Sequence, residues 1–261
     1  MFIDSHAHID GPQFDADRDE VVKRAVENNV GVILNVGTGD PSTDEIARGV
    51  EIAAKYEGVY SAGGVHPHDA SGYTESTERL LEELLARNTR MIALGEIGLD
   101  FHYNHSPQDI QKDVFRRQLR LAGRLKRPVI IHTRSADTET VAILREELAD
   151  TQTPGVMHCF SGGAEMAKDV LDLGFMISFS GNVTFKSAGA LRDIAQTVPI
   201  ERILIETDCP FLTPVPFRGR RNEPARVIEV ARCIAEVRNQ SIGAIEKATT
   251  DNFVRTFGIE I

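Results

Sequence analysis

Residues 128–134 read PVIIHTR. In this stretch a short β-branched apolar run, residues 129–131, is followed directly by His132. Seven similar apolar runs recur along the chain. The eight runs occupy residues 1–3, 32–36, 59–62, 91–94, 129–131, 155–157, 175–178 and 203–205. Their starts are on average about 29 residues apart, the length expected of a strand, a crossover helix and two short loops. The spacing therefore predicts that strands and helices alternate.

Helical patterns lie between and after these runs. Apolar residues three and four positions apart form single stripes along the predicted helices. The stripes are Phe115, Leu119, Ala122 and Leu125; Val141, Leu144 and Leu148; and Val227, Val230, Ala231, Ile234 and Val237. Strands that are apolar on both faces, separated by amphipathic helices, indicate a parallel sheet covered by helices. Eight units favour closure, so we predict an α/β fold, a (β/α)8 TIM barrel with a terminal helix, as one domain over residues 1–261.

Composition narrows the function. The 261 residues are 41% hydrophobic and carry a formal net charge of −10, so no global basic field attracts nucleic acid or an anionic membrane. Asp4 and His6 stand where a signal peptide would be apolar, and no apolar stretch is long enough to span a membrane. The three cysteines form no CxxC pair, which favours a reducing compartment. We expect a cytoplasmic protein that holds any polyanionic substrate through local cations.

Residues typical of metal sites follow five of the apolar runs. They are His6, His8, Glu96, His132, His158 and Asp208. Active sites of such barrels lie at the C-terminal ends of the strands, where these residues meet. His6 and His8 are two positions apart and can face the same side of a strand. A lone strand histidine is more often structural than ligating, but the complete set predicts a metal centre.

The ligand types restrict the ions. Mixed imidazole and carboxylate ligands suit Zn, Mn, Co or Fe(II) better than Ca, while Mg prefers oxygen. Six ligands are too many for one open catalytic ion but suit two ions about 3.5 to 4 Å apart. We predict that one ion is held by His6, His8, Glu96 and Asp208, and the other by Glu96, His132 and His158. Glu96 is then the bridge, and Asp208 can also accept the proton of the attacking water.

Longer motifs surround these residues. They are DSHAHID (4–10), GVHPH (64–68), GEIGLDF (95–101), PVIIHTR (128–134), HCFSG (158–162), ETDCP (206–210), RGRRNEP (218–224) and NFVRTFG (252–258). Their order and spacing resemble the TatD family of metal-dependent deoxyribonucleases nearly end to end. The wider amidohydrolase-like barrels share the HxH pair but often bridge their metals with a carboxylated lysine, whereas Glu96 stands at that position here.

The resemblance implies phosphodiester hydrolysis, typically 3′ to 5′ trimming of single-stranded DNA ends, with two divalent ions as cofactors: Zn, Mn or Mg. Some relatives are similar to ester hydrolases, so a D-aminoacyl-tRNA deacylase is the first alternative. A noncatalytic nucleic-acid adaptor is the second, and the presence of all six ligands argues against it. We expect no membrane partner and no obligate protein partner.

Other residues near the predicted mouth have two interpretations. His66 either protonates the leaving oxygen or binds substrate phosphate, or it is a structural turn histidine. Arg218 and Arg221 either hold a phosphate through forked hydrogen bonds or belong to a solvated loop rich in proline. Asp100 and Glu206 are interpreted as groups that orient the ligand histidines.

A second group of charges lies far from the strand ends. It comprises Arg116, Arg117, Arg120, Arg124, Lys126 and Arg127. These residues fall on a predicted outer helix, and we interpret them as its water-facing side.

Overall fold

The computed structural model describes residues 1–149, 151 and 153–261. Eight parallel strands pair in chain order, each with the next. The strands are β1 (Phe2–Ala7), β2 (Val30–Thr38), β3 (Val59–Gly64), β4 (Met91–Asp100), β5 (Val129–Arg134), β6 (Gly155–Met157), β7 (Met176–Phe179) and β8 (Ile203–Ile205). The end of β1 meets the segment after β8: Ala7 forms a parallel bridge with Cys209, and Asp208 N donates to His6 O at 2.9 Å. The predicted TIM barrel is confirmed.

Helices alternate with the strands and cover the outside of the sheet. They are α1 (Arg18–Glu27), α2 (Glu45–Lys55), α3 (Glu75–Arg87), α4 (Gln108–Leu125), α5 (Asp137–Leu148), α6 (Ala164–Asp172), α7 (Gly189–Thr197), α8 (Val227–Arg238) and α9 (Ile242–Phe257). The predicted stripes lie inside α4, α5 and α8 and are buried or packed against the core. Among the residues described, no helix combines the length and apolar character needed to cross a bilayer.

The terminal helix α9 closes one end of the barrel. Its residues Phe253 and Phe257 belong to the apolar cluster that fills the barrel interior with residues such as Leu34, Ile130 and Val156. Thr250 of the same helix donates to Met1 O at 3.0 Å, which places α9 at the amino end of β1. The carboxyl ends of the strands therefore form the open mouth.

Several strands continue beyond their apolar runs. β4 begins at Met91 as predicted but extends to Asp100, and β1 extends to Ala7. β5 likewise extends to Arg134. His6, Glu96 and His132 consequently lie within strands rather than after them. Strands are held by hydrogen bonds between backbone groups, which do not depend on the side chain. Polar side chains can therefore continue a strand where they face the mouth instead of the packed interior.

Candidate metal centre

The open mouth brings the six predicted ligands together. Three overlapping groups have potential ligand atoms within 4.8 Å of one another. The groups are His6, Glu96 and His158; His6, His8 and Asp208; and His66, Glu96 and His132. His6 and Glu96 each belong to two groups, so the set is one continuous cluster. The cluster also includes His66, which we had predicted as a substrate-facing residue rather than a ligand.

Glu96 lies at the centre of the cluster, and its two carboxylate oxygens face different neighbours. Its Oε1 lies 2.7 Å from His132 Nδ1 and 2.9 Å from His158 Nε2. Its Oε2 lies 3.4 Å from His6 Nε2 and 3.9 Å from His8 Nε2. One carboxylate therefore joins the two halves that we predicted as separate ion sites.

Asp208 completes the half that contains the HxH pair. Its Oδ1 lies 3.4 Å from His8 Nε2 and 3.9 Å from His6 Nε2. The two histidines approach each other as well, with 3.2 Å between their Nε2 atoms. The His6 ring stacks on that of His158, with ring centroids 3.9 Å apart. The His6 ring therefore stacks face to face on His158 and meets His8 edge to face.

Contacts on the far side of three histidines leave the nearer nitrogen free for a ligand bond. His8 Nδ1 donates to Val36 O at 2.8 Å, and His158 Nδ1 lies 3.1 Å from Glu206 Oε1. His132 Nε2 lies 3.2 Å from Asp100 Oδ2. A carbonyl or carboxylate behind an imidazole fixes its orientation and directs the lone pair of the other nitrogen forward. The contacts of Asp100 and Glu206 match the orienting role that we interpreted for them.

The donor set fits divalent cations. No lysine or arginine of the described chain forms an ion pair with Glu96 or Asp208, although both carboxylates are largely buried. The buried His6 Nδ1 has no hydrogen-bond partner among the described residues. Buried carboxylates require a compensating positive charge. Imidazole nitrogens and carboxylate oxygens turned toward one another are the ligands that Zn, Mn and related ions prefer.

The carboxylates of the cluster are anionic. Burial raises the pKa of the Glu96 carboxyl, but the charge of His158 and hydrogen bonds from His132 and His158 hold it well below its usual range. Burial raises the pKa of Asp208, but the hydrogen bond from His8 together with the charges of the neighbouring histidines lowers it below its ordinary value. Burial alone lowers the pKa of His8, whereas the hydrogen bond and charge of Asp208 raise it to about 9. The two carboxylates therefore remain charged at pH 7, and a divalent cation that binds there would displace protons from histidines such as His8.

His66 differs from the other histidines of the cluster. It precedes the 3-10 helix Pro67–Gly72, and its Nδ1 accepts a hydrogen bond from His68 N at 3.2 Å. The hydrogen-bond network therefore assigns the proton of the neutral ring to Nε2, which lies 3.4 Å from Glu96 Oε1. Burial lowers the pKa of His66 to about 4, so the ring is neutral at pH 7. His66 thus presents a donor to the mouth.

The two predicted phosphate-binding arginines do not contact the cluster. Arg221 forms a forked pair with Asp17, at 2.9 and 2.6 Å, and stacks over the Phe14 ring at 4.5 Å. Arg218 is exposed, lies 3.9 Å from the centre of the Phe185 ring and donates to Thr213 O at 3.0 Å. The donors of Arg221 are therefore engaged within the chain, and Arg218 has the more accessible guanidinium.

One buried carboxylate near the centre has a contact that the sequence analysis did not predict. Asp4 accepts hydrogen bonds from Thr207 N at 2.8 Å and Thr207 Oγ1 at 2.5 Å. Burial raises its pKa to about 8. The bond ties the first strand to the residue before Asp208. An acidic residue inside the apolar FID run was the available signal, but its partner lies 203 residues away in sequence.

Comparison with known proteins agrees with this geometry. The family model described as TatD related DNase matches residues 3–258. An uncharacterized metal-dependent hydrolase, YabD of Bacillus subtilis, is 45% identical over 99% of this chain and 100% of its own length. The 3′-5′ ssDNA/RNA exonuclease TatD of Klebsiella pneumoniae is 36% identical over 99% of this chain and 98% of its own length.

A solved structure shows the same architecture. The crystal structure of YJJV, a TatD homolog from Escherichia coli K12, superposes with a TM-score of 0.92 at 30% identity, over 99% of this chain and 98% of that one. The fold, the cluster and the relatives agree. The chain belongs to the TatD family of metal-dependent hydrolases.

Proposed function

We propose that this hydrolase cleaves phosphodiester bonds, trimming single-stranded DNA or RNA from the 3′ end with two divalent cations. The proposal rests on the two carboxylate oxygens of Glu96, which face different pairs of histidines. Oε2 faces His6 and His8. Oε1 faces His132 and His158. A carboxylate shared between two donor groups suits a pair of ions, an arrangement that recurs in phosphatases and nucleases.

We assign the ligands as two sets that share Glu96. The first set adds His6, His8 and Asp208, and the second adds His132 and His158. Divalent ions held there would supply Lewis acidity, lowering the pKa of water and neutralising charge on a phosphodiester. The chain has a net charge of −10, so this local positive charge is what admits a polyanion.

The protein side chains take part in proton transfer and hydrogen bonding. Asp208 is anionic and accepts the proton of the attacking water as the bond from water oxygen to phosphorus forms. His66 faces the mouth with Nε2–H and donates a hydrogen bond to a phosphate oxygen or to the leaving oxygen. As the bond from phosphorus to that oxygen breaks, the leaving oxygen takes up a proton from solvent water, and Asp208 returns the proton it accepted to solvent. We assign Arg218 to a flanking phosphate, and the exposure of its guanidinium supports this assignment.

The choice of substrate rests on the relatives. The relative from Klebsiella pneumoniae is a 3′-5′ ssDNA/RNA exonuclease by name, and it matches this chain from end to end. A single strand also suits an acidic protein, because only the few phosphates nearest the ions need compensation, whereas a wrapped duplex presents many.

The test is a cleavage panel with the purified protein. Single-stranded DNA and RNA carrying a 5′ label are incubated after chelation and again after addition of Mn²⁺, Mg²⁺ or Zn²⁺. We expect no cleavage in chelator and, with metal, a ladder that shortens one nucleotide at a time. A phosphorothioate linkage at the 3′ end should stop the ladder, whereas one at the 5′ end should not.

Mischarged tRNA in the same panel separates the alternatives. Intact oligonucleotides together with rapid release of the amino acid would identify an ester hydrolase instead. Oligonucleotide binding without any hydrolysis, in protein shown to contain metal, would identify an adaptor. Either result contradicts the proposal.

A further inference from the structure

Phe211 is an exposed aromatic residue at the edge of the metal centre. Its exposed fraction is 56%, whereas six of the twelve phenylalanines are less than 2% exposed. A large apolar ring in water forgoes the stabilisation that burial would provide, and its face stays accessible to a ligand that enters the mouth.

The backbone of Phe211 is held on both sides. Its N donates to Asp208 O at 2.9 Å, and its O accepts from Asn222 Nδ2 at 2.7 Å. Asn222 is fully buried and also donates to Thr207 O at 2.9 Å. These bonds fix the segment that carries Asp208 and hold the exposed ring next to it.

The ring lies next to the cluster. Its centroid is 6.4 Å from that of His8, with the ring planes at 67°. His8 Nε2 in turn lies 3.4 Å from Asp208 Oδ1. In a nucleotide the base is one sugar away from the phosphate, so a phosphate bound at this half of the centre brings a neighbouring base to Phe211.

A second exposed aromatic at the mouth, Tyr103, already has two partners for its ring. Arg134 lies 4.6 Å from the centre of its ring, and the His105 ring is nearly parallel to it at 5.6 Å. Its exposed fraction is 51%, similar to that of Phe211. The ring of Phe211 contacts one imidazole edge-to-face and is the better platform for an incoming ring.

We propose that Phe211 stacks against a base adjacent to the scissile phosphate and so selects nucleic acid over simple phosphodiesters. This inference rests on the proposed function. Every base has a π-face, so stacking of this kind discriminates little between bases but strongly against a position that has none.

The experiment compares Phe211→Ala and Phe211→Leu with wild type. Val215→Ala is the control, because Val215 is 46% exposed and lies in the same loop. Substrates are a single-stranded oligonucleotide and two versions of it, abasic at the terminal or at the penultimate nucleotide. Metal content of each protein is measured to show that the centre is intact.

We expect Phe211→Ala to raise KM for the intact strand about tenfold to a hundredfold, with kcat nearly unchanged. Phe211→Leu should behave like Phe211→Ala, because it keeps an apolar side chain without the aromatic face, and Val215→Ala should behave like wild type. On the abasic strand that lacks the stacked base, the wild type should have the same high KM as Phe211→Ala. On the other abasic strand the two proteins should still differ.

An unchanged KM in Phe211→Ala, or an equal loss on intact and both abasic strands, overturns the inference while leaving the proposed nuclease intact. A wild type that cuts no oligonucleotide overturns both.

Discussion

Two regions of this molecule are dense in ionisable side chains, the barrel mouth and the outer face of α4, and they differ in what those side chains contact. On α4, Arg120 Nε lies 2.7 Å from Glu147 Oε2, and Arg117 Nη2 lies 3.1 Å from Glu78 Oε2. At the mouth, the partners of the Glu96 and Asp208 carboxylates among the described residues are histidines, and these histidines contact one another. The ion pairs on α4 are complete within the chain and contribute to stability. The carboxylates at the mouth have no lysine or arginine partner among the described residues, which is typical of a metal site.

The largest expected effect is at the mouth. Asp208→Asn keeps the size of the side chain but removes its charge and its capacity to accept a proton. We expect kcat on a single-stranded oligonucleotide to fall about 10³- to 10⁴-fold, with an unchanged circular dichroism spectrum. Glu147→Gln on the outer surface is the matched control and should cut at the wild-type rate. Equal rates for Asp208→Asn and wild type would remove the distinction between the two regions.

His66→Gln tests whether His66 donates a hydrogen bond to the substrate or binds a metal ion. Because Nε2 carries the proton, we expect kcat to fall about 10²-fold while the metal content measured by elemental analysis stays the same. Loss of metal in this variant would show instead that His66 belongs to the ligand set, as its proximity to Glu96 and His132 permits.

Glu206→Gln tests the support behind the ligands. Glu206 is fully buried and accepts from Cys159 N at 2.7 Å as well as contacting His158 Nδ1. A neutral amide orients the imidazole less strongly, so we expect about a tenfold loss in affinity for Mn²⁺, measured by competition with a chelator. Unchanged affinity would mean that His158 is held by packing alone.

The smallest effect is expected on the outer surface and concerns stability. The hydrogen bond from Arg120 lowers the pKa of Glu147 below its ordinary value of 4.5. A carboxyl with a lowered pKa contributes stability above its unfolded-state pKa and loses that contribution as the pH falls through the folded-state value. Glu147→Gln should therefore cost at most about 1 kcal/mol at pH 7, and less as the pH falls below 4.5.

Urea unfolding at several pH values measures this difference. A gap between wild type and Glu147→Gln that widens toward acid would contradict the sign given above.

The fold and the cluster could be predicted from the sequence, because the fold depends on the spacing of the apolar runs and the cluster on the residues at the ends of those runs. Apolar runs about 29 residues apart require parallel strands with crossovers, and parallel strands bring their carboxyl ends to one mouth. His132 and His158 could be placed from this rule alone. The predicted strand ends were early at β1, β4 and β5, since hydrophobicity does not detect polar residues that continue a backbone ladder.

The contacts that could not be predicted are those between distant side chains. Arg221 was a candidate for phosphate, but it pairs with Asp17, which is 204 residues away in sequence. Neither the Asp4 bond to Thr207 nor the exposure of Phe211 follows from a local pattern, because each depends on how separate loops meet at the mouth.

The central claim is that six imidazoles and carboxylates share a pair of divalent ions across Glu96. A crystal grown with Mn²⁺ and measured at the manganese absorption edge tests it directly. We predict two anomalous peaks about 3.5 to 4 Å apart, one bound by His6, His8 and Asp208 and the other by His132 and His158, each also bonded to Glu96. A map without anomalous density among these residues, from protein that is active in the same metal, would contradict the account.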